Sequence, residues 1–516
     1  MYLSIFKSEY SAFCTDSDMY TPTLDTSVYT PALLVILIVL IGIFLMTRKS
    51  NIVYSDAPGP WAWPVLGNLP SLGKKPHEYL TSLRSKYGDI YQIMMGSRPT
   101  IVLNGINVIR KATIKQAEEF AGRPDFYTFK FLAKGKSMGF SDYGPRWKLH
   151  RKIAQNCLSS FTNKRNSPIE QAIISEAELL SNNLLSSRGK PVDPHNEIYL
   201  SVGNIICALC FGKRYKREDE DFVTLVKMND KFMATMGAGN PVDIMPWMRH
   251  FTKRSFNTFL GILETMDNFS LKKRKEHLDT YDPSKIRDVT DALIRATEET
   301  LDEDKAAVGL TDEHILLTVQ ELIGAGFDTI ASTLQWTVLF MITHPDIQEK
   351  IHGEIRTHIG MDRYPEFDDL ENLPFTEATI MEVMRHSCIF PFALPHSTTK
   401  DTVLDGYFIP KNTLVFINLW SINYDPAMFP EPQKFNPYRF LEKGNSLNKS
   451  DLFLPFGAGR RKCPGEQLAK MELFIFFATM LQRCRFETIP GKTPKIDSKY
   501  GLTLKPVDFE VIVSPR

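Results

Sequence analysis

A single cysteine, Cys463, stands in the loop Phe456-Gly457-Ala458-Gly459-Arg460-Arg461-Lys462-Cys463-Pro464-Gly465, ahead of a helical run over 466–480. Glycines free backbone N–H groups there, and a helix N-terminus follows. Both favour negative charge on sulfur, so the loop suits a thiolate that binds a metal or attacks a substrate. Alone, such a cysteine is as well read as structural or as a phosphatase-like nucleophile, but the string F-x-x-G-x-R-x-C-x-G is long and constrained. Arg461 adds a bidentate carboxylate binder beside it. A second constellation is Gly324-Ala325-Gly326-Phe327-Asp328-Thr329, midway along a helical stretch over 311–343 that spans roughly 50 Å at about 1.5 Å per residue. Thr311 is its expected N-cap, ahead of Asp312 and Glu313, and the stretch stops before Pro345. Each glycine costs about 1 kcal/mol of helix propensity relative to alanine, so something needs the space. A small molecule such as O2 would use it, and the acid-alcohol pair Asp328 and Thr329 could relay protons to it; the plainer reading is a kink whose freed backbone groups the two side chains satisfy. Glu382 and Arg385 lie at i, i+3 on one helix face, which by itself is ordinary surface pairing. Trp147 and Arg151, at i and i+4, also share a face, and His396 follows Pro395.

In this order, over residues 57–510, the motifs resemble the cytochrome P450 superfamily. The resemblance implies that Cys463 is the axial thiolate ligand of haem b (iron protoporphyrin IX), and that Trp147, Arg151, His396 and Arg461 meet its propionates. It implies that Asp328 and Thr329 deliver protons to dioxygen. It also implies that Glu382 and Arg385 join Arg439, in Phe435-Asn436-Pro437-Tyr438-Arg439-Phe440, to lock the core on the cysteine side. Tyr438 stands where the family usually has glutamate. The strings at 201–207, 237–243, 324–329 and 395–402 are similar to family 1, the vertebrate microsomal enzymes that oxidise planar aromatics, oestrogens, fatty acids and other xenobiotics. Phe140, Phe232 and Phe327 are then expected to wall an aromatic substrate pocket, since ring contacts add to simple burial. The expected reaction inserts one atom of O2 into a small hydrophobic substrate. Electrons are expected from NADPH-cytochrome P450 reductase, with cytochrome b5 as a further partner, through a basic face of Arg146, Lys148, Lys152, Lys462 and Lys470. The alternatives are a haem-thiolate isomerase or dehydratase and a non-catalytic haem sensor, against which the Asp328–Thr329 pair speaks.

Helical patterns dominate the elements that must position these residues, as over 169–185 and 310–343, with short strand-like runs at 89–95, 100–103 and 414–418. The fold class is mainly α with small β-sheets, the cytochrome P450 fold, with one N-terminal transmembrane helix. Residues 31–46 are all apolar or glycine, close to the roughly 20 residues that span a bilayer. Arg48 and Lys49 follow, whereas acidic residues precede, so positive-inside topology puts the bulk of the chain in the cytosol. The expected layout is a lumenal segment 1–28, an anchor 29–47, a basic and proline-rich linker 48–70, and a haem-thiolate domain 71–516 on the endoplasmic reticulum membrane. The sequons at Asn268 and Asn448 are then unused. With 516 residues, 43% hydrophobic and 23% charged, the chain has globular composition, and its net charge of +1 gives no footprint for nucleic acid. Seven cysteines without close regular spacing read as free thiols, and Cys207-x-x-Cys210, in an apolar run, as helix packing.

Overall fold

The computed structural model describes residues 26–48, 54–162, 167–237, 240–442, 446–448 and 452–516. Most of the expected lumenal segment, residues 1–25, and Lys49 of the topology argument lie outside them. At the centre runs the helix Thr318–Thr343. Apolar almost all round, it can only be stable inside. It packs against the helices His195–Phe211, Glu466–Arg483 and Pro374–Ser387 in the largest core cluster. The expected single helix over 311–343 is in fact two. Asp312–Leu316 is a separate turn, and Thr311 caps it through His314, whose Nδ1 lies 2.8 Å from the Thr311 hydroxyl. Leu317, with ψ near −9°, makes the joint, and Thr318 begins the central helix bonded to His150 at 2.8 Å.

The main sheet has four short strands. Ile90–Met95 and Arg98–Leu103 form an antiparallel hairpin, Arg98–Leu103 runs parallel to Leu414–Ile417, and His396–Ser397 closes the other side. These match the three expected strand runs to within about two residues. A parallel pair is normally buried on both faces, and Ile101, Val102, Leu103 and Val415 are fully buried.

Near the N-terminus, Thr26–Arg48 is a 23-residue helix, and the large apolar side chains from Leu33 to Ile41 are between 46% and 63% exposed. The proline-rich linker after it is no free tether. Gln92 donates its N–H to the Pro58 carbonyl at 2.8 Å, and the Asn68 side chain accepts from Met94 at 2.7 Å and donates to Trp61 at 2.9 Å. Gly67, at φ +62°, lies so close to Met94 that a Cβ would come within 2.2 Å of its carbonyl oxygen. Residues 58–68 are therefore fastened to the hairpin edge. Among the described residues every cysteine is a free thiol, and Cys207 and Cys210 are buried in the helix His195–Phe211, as their apolar setting suggests.

Candidate active site

Local backbone chemistry shapes the cysteine loop. Gly457 and Gly459 sit at φ +69° and +71°, and a Cβ on Gly459 would fall 1.7 Å from the Thr113 carbonyl oxygen. Only glycine allows that approach. Gly459–Arg461 makes a 3-10 turn, the Cys463 N–H donates to the Phe456 carbonyl at 2.9 Å, and the helix Glu466–Arg483 starts directly afterwards. Cys463 itself is exposed. The glycines suggested a loop that keeps the thiol ionised, but although the side chain reaches solvent, the protein packed around it desolvates the sulfur and raises its pKa, outweighing the Gly465 N–H, Arg151 and Lys462, which lower it. A bound metal ion removes that obstacle, because a coordinating thiol is deprotonated outright.

Around the loop the structure gathers most of the cationic residues singled out above. Trp147, in the helix Pro145–Thr162, donates its indole N–H to Met138 at 2.9 Å, and the Arg461 guanidinium lies 4.3 Å over its ring. Arg461 spends donors on the carbonyls of Ala121 at 2.8 Å, Ser141 at 2.7 Å and Met138 at 3.4 Å. A guanidinium has five N–H groups, so two remain. Arg151 donates to the Lys462 carbonyl. His396, buried, bonds the Phe120 carbonyl through Nδ1 at 2.6 Å, which leaves Nε2 for another partner. Arg123 joins them with its Nε on Gly139 at 2.8 Å and a terminal nitrogen on Pro395 at 2.9 Å. Burial and then mutual repulsion depress the group: Arg461 falls to about 8, with Arg123 the next cause, and His396 falls well below its ordinary value. Burial takes Arg123 to about 10, and only Asp142 opposes it. A buried cationic cluster this short of counter-charge fits a ligand with two carboxylates, as haem b has. Sequence reasoning missed Arg123; its one signal was an arginine between Gly122 and Pro124 in an otherwise apolar run.

On the central helix the expected site divides. Ala325 is exposed and Thr329 partly so, with the threonine hydroxyl donating to the Ala325 carbonyl at 2.8 Å. Asp328 is fully buried and turned elsewhere: its Oδ2 accepts from Thr503 at 2.6 Å, and its Oδ1 accepts from Tyr199 at 3.0 Å and pairs with Lys505 Nζ at 2.6 Å. Phe327 departs further from expectation. It is fully buried, its ring is 4.8 Å from that of Tyr199, and its tip fills the place of a Gly203 Cβ. Helical neighbours point about 100° apart, so a residue just before Asp328 need not share the face of Thr329. The glycines differ too: a Cβ on Gly326 would strike Ile206 at 2.4 Å, whereas one on Gly324 would meet nothing within 4 Å. Helix packing, not a ligand, accounts for Gly326.

Glu382, Arg385 and Arg439 do meet. Arg385 clasps Glu382 through Nε at 2.7 Å and a terminal nitrogen at 2.9 Å, Arg439 Nε reaches the same carboxylate at 3.1 Å, and the Asn436 N–H at 2.8 Å. Glu382 and Arg385 are fully buried, so this is no surface pair. Tyr438 is exposed and accepts from Lys350 at 3.1 Å, so its replacing glutamate leaves the lock intact. Phe140 and Phe232 fall in one aromatic-rich cluster with Phe126, Phe129, Phe259 and Leu502, Phe129 standing 4.7 Å from Phe140. On the cysteine side Arg146, Lys148, Lys152, Lys462 and Lys470 are exposed, but Lys148 pairs with Glu118, and Lys462 and Lys470 both with Glu466.

The family model for cytochrome P450 matches residues 57–513. Cytochrome P450 1A1 of Pleuronectes platessa is 42% identical over 461 residues, 87% of this chain and 88% of that protein. Cytochrome P450 1A3 of Oncorhynchus mykiss is 42% identical over 460 residues, with the same shares. A zebrafish cytochrome P450 solved with progesterone superposes at a TM-score of 0.78 with 34% identity, covering 86% of this chain and 99% of that one. The cysteine loop, the buried cationic cluster and the buried lock stand within the matched span, and the chain belongs to the cytochrome P450 family of haem-binding monooxygenases, close to its 1A members.

Proposed function

We propose that the chain is a microsomal monooxygenase that inserts one oxygen atom of O2 into small hydrophobic substrates, chiefly planar aromatic or steroid-like ones such as polycyclic aromatics and oestrogens, with fatty acids and other xenobiotics besides, using electrons from NADPH through cytochrome P450 reductase. Overall, substrate, O2, NADPH and a proton become hydroxylated product, water and NADP+. The observation that carries the substrate class is the cluster of Phe126, Phe129, Phe140, Phe232 and Phe259, whose rings offer flat ligands edge and offset contacts beyond plain burial. Leu502 belongs to that cluster, and its neighbour Thr503 bonds Asp328, so the aromatic surface adjoins the central helix. The zebrafish relative was solved with progesterone, a ligand of the steroid class named here.

Bound haem supplies activation of dioxygen. The chain's own part is to hold that group by the Cys463 thiolate and by the Arg123, Arg151, Arg461, His396 and Trp147 cluster. Thr329, with its hydroxyl on the open face, passes protons. The Glu382–Arg385–Arg439 lock holds the elements behind the loop. The exposed apolar helix Thr26–Arg48 serves as membrane anchor, and the basic cysteine face as the docking surface for the reductase and for cytochrome b5. Reconstitution of the purified protein with reductase and NADPH tests this: a planar polycyclic aromatic or an oestrogen is expected to give a hydroxylated product carrying 18O from 18O2. Turnover without O2, or product without the label, would defeat the reading.

A further inference from the structure

The cations beside Cys463 take their bearings from one short stretch of backbone, residues 137–141, which runs outside any helix or strand. Met138 accepts from the Trp147 indole at 2.9 Å and from Arg461 at 3.4 Å, Gly139 accepts from Arg123 Nε at 2.8 Å, and Ser141 accepts from Arg461 at 2.7 Å. An irregular stretch needs holding before its carbonyls can aim anything. Within it the Phe140 N–H donates to the Ser137 hydroxyl at 3.1 Å and the Ser141 N–H to the Ser137 carbonyl at 3.2 Å. From the helix Thr318–Thr343, Glu321 reaches across to it, and Oε2 accepts from the Gly139 N–H at 3.0 Å. Gly139 thus gives its N–H to the central helix and its carbonyl to Arg123. Glu321 stands one turn before Ala325 and two before Thr329, on the same open face. Its Oε1 is enclosed without a hydrogen-bond partner among the described residues. Burial pushes its pKa up, against the Ser137 hydroxyl, the Gly139 and Met138 N–H groups and the Arg461 charge. An enclosed oxygen without a donor costs less on a neutral acid than on a carboxylate, so both observations favour the neutral form. Its bond to Gly139 is then one between uncharged groups, which an amide can make as well.

We propose that Glu321 is a positioning residue for the haem: by tying Gly139 to the central helix it fixes the carbonyls that aim Arg123, Arg461 and Trp147, and with them the positive field around the propionates. The inference rests on the reading that this cluster meets the propionates. Glu321 acts through the segment and not by touching the haem. When the segment shifts, the guanidinium groups bonded to its carbonyls shift with it, and a cation that drifts from a carboxylate in so poorly hydrated a place loses attraction steeply. Two effects follow. The haem is held less firmly, and reduction of ferric to ferrous iron, which adds one electron, is less favoured once positive charge has moved away.

The test uses the full-length, haem-loaded protein and three measurements: transfer of haem to excess apomyoglobin, amide hydrogen exchange over 137–141, and the haem midpoint potential in a dithionite titration. In Glu321→Leu, haem loss is expected to quicken roughly 2- to 10-fold, the contribution of one ordinary hydrogen bond, with faster exchange over 137–141 and a lower potential. Glu321→Gln, whose side-chain carbonyl can accept from Gly139, restores all three. Glu321→Asp, shorter by one methylene, moves them in the same direction as Glu321→Leu by less, and stands in should that variant not fold. Wild-type values in Glu321→Leu and Glu321→Asp would overturn the proposal. So would a Glu321→Gln as impaired as Glu321→Leu, because the loss would then follow the carboxyl's charge and not its hydrogen bond. An unchanged rate of haem loss in Arg461→Gln would instead remove the reading of the cluster on which the proposal depends.

Discussion

At the scale of single residues, the site depends on groups whose ordinary chemistry is altered by where they sit. Cys463 is the sharpest case, since desolvation by the surrounding protein works against ionisation of its thiol and a bound metal would reverse that. Cys463→Ser is expected to abolish the thiolate-type Soret band of the reduced carbon-monoxide complex; a variant that kept the band would show that another residue ligates the iron. Thr329→Ala should leave that band unchanged, because its hydroxyl bonds only the Ala325 carbonyl among the described partners. Product formed per NADPH should fall, with hydrogen peroxide making up the difference, and loss of an acid–base group costs about 10²–10⁴-fold in the assisted step, the lower end applying where water can replace a hydroxyl. These two residues could be singled out from sequence because each sits in a run of unusual neighbours, glycines above all. Arg123 could not, because its place is fixed by carbonyls 16 and 272 residues away, which no local pattern announces. Phe327 misled for the opposite reason: its neighbours carry the chemistry, and helical twist points its ring into the core.

Elements, in turn, are joined by buried ions that only the fold makes costly. The i, i+3 spacing of Glu382 and Arg385 looked like surface pairing until the segment with Asn436 and Arg439 closed over it. Glu382→Ala would leave two guanidinium groups without their shared carboxylate, Arg385 fully buried, and breaking a buried pair from one side costs about 3–5 kcal/mol. Reduced haem content and a lower unfolding midpoint are the expected readouts, with unchanged values arguing that the lock carries no stability. A second joint ties the end of the helix Lys253–Leu278 to the start of Val289–Glu299, where His277 bonds Asp288 at 2.9 Å through Nε2 and the Lys273 carbonyl at 2.8 Å through Nδ1. With an acceptor on each nitrogen, the ring is held as imidazolium. Burial lowers its pKa, but the hydrogen bond and charge of Asp288 outweigh it, so the folded-state value lies above the ordinary 6.5. The stability that this pair contributes is therefore complete below pH 6.5 and is lost as pH rises through the higher folded-state value. Thermal unfolding followed upward from pH 6.5 should show that decline in the wild type and a flatter profile in His277→Gln. The parallel slopes of a pH-indifferent joint would be the contrary result.

For the molecule as a whole, the exposed apolar helix Thr26–Arg48 and the exposed Trp61 and Trp63 of the docked linker come early in the chain, and the cysteine loop with its basic residues comes more than 390 residues later. Protease added to sealed microsomes should digest the catalytic domain and leave Asn268 and Asn448 without glycans; protection, or a glycan on either, would place the domain in the lumen. Overall architecture was readable in advance because helical periodicity runs long and the strand runs are apolar. The break at Leu317 was not, because nothing in its local sequence interrupts the helical pattern between the predicted cap at Thr311 and Pro345. The sheet carries a further consequence, one of time. Asn104 beside one strand of the hairpin bonds Asn418 at 2.8 Å across 314 residues of chain. At about 5–20 residues per second of synthesis, the hairpin waits roughly 16–60 s on the ribosome for its partner strand, with an apolar edge uncovered. Completion of this sheet must therefore come after most of the chain has been made, however early the hairpin itself forms.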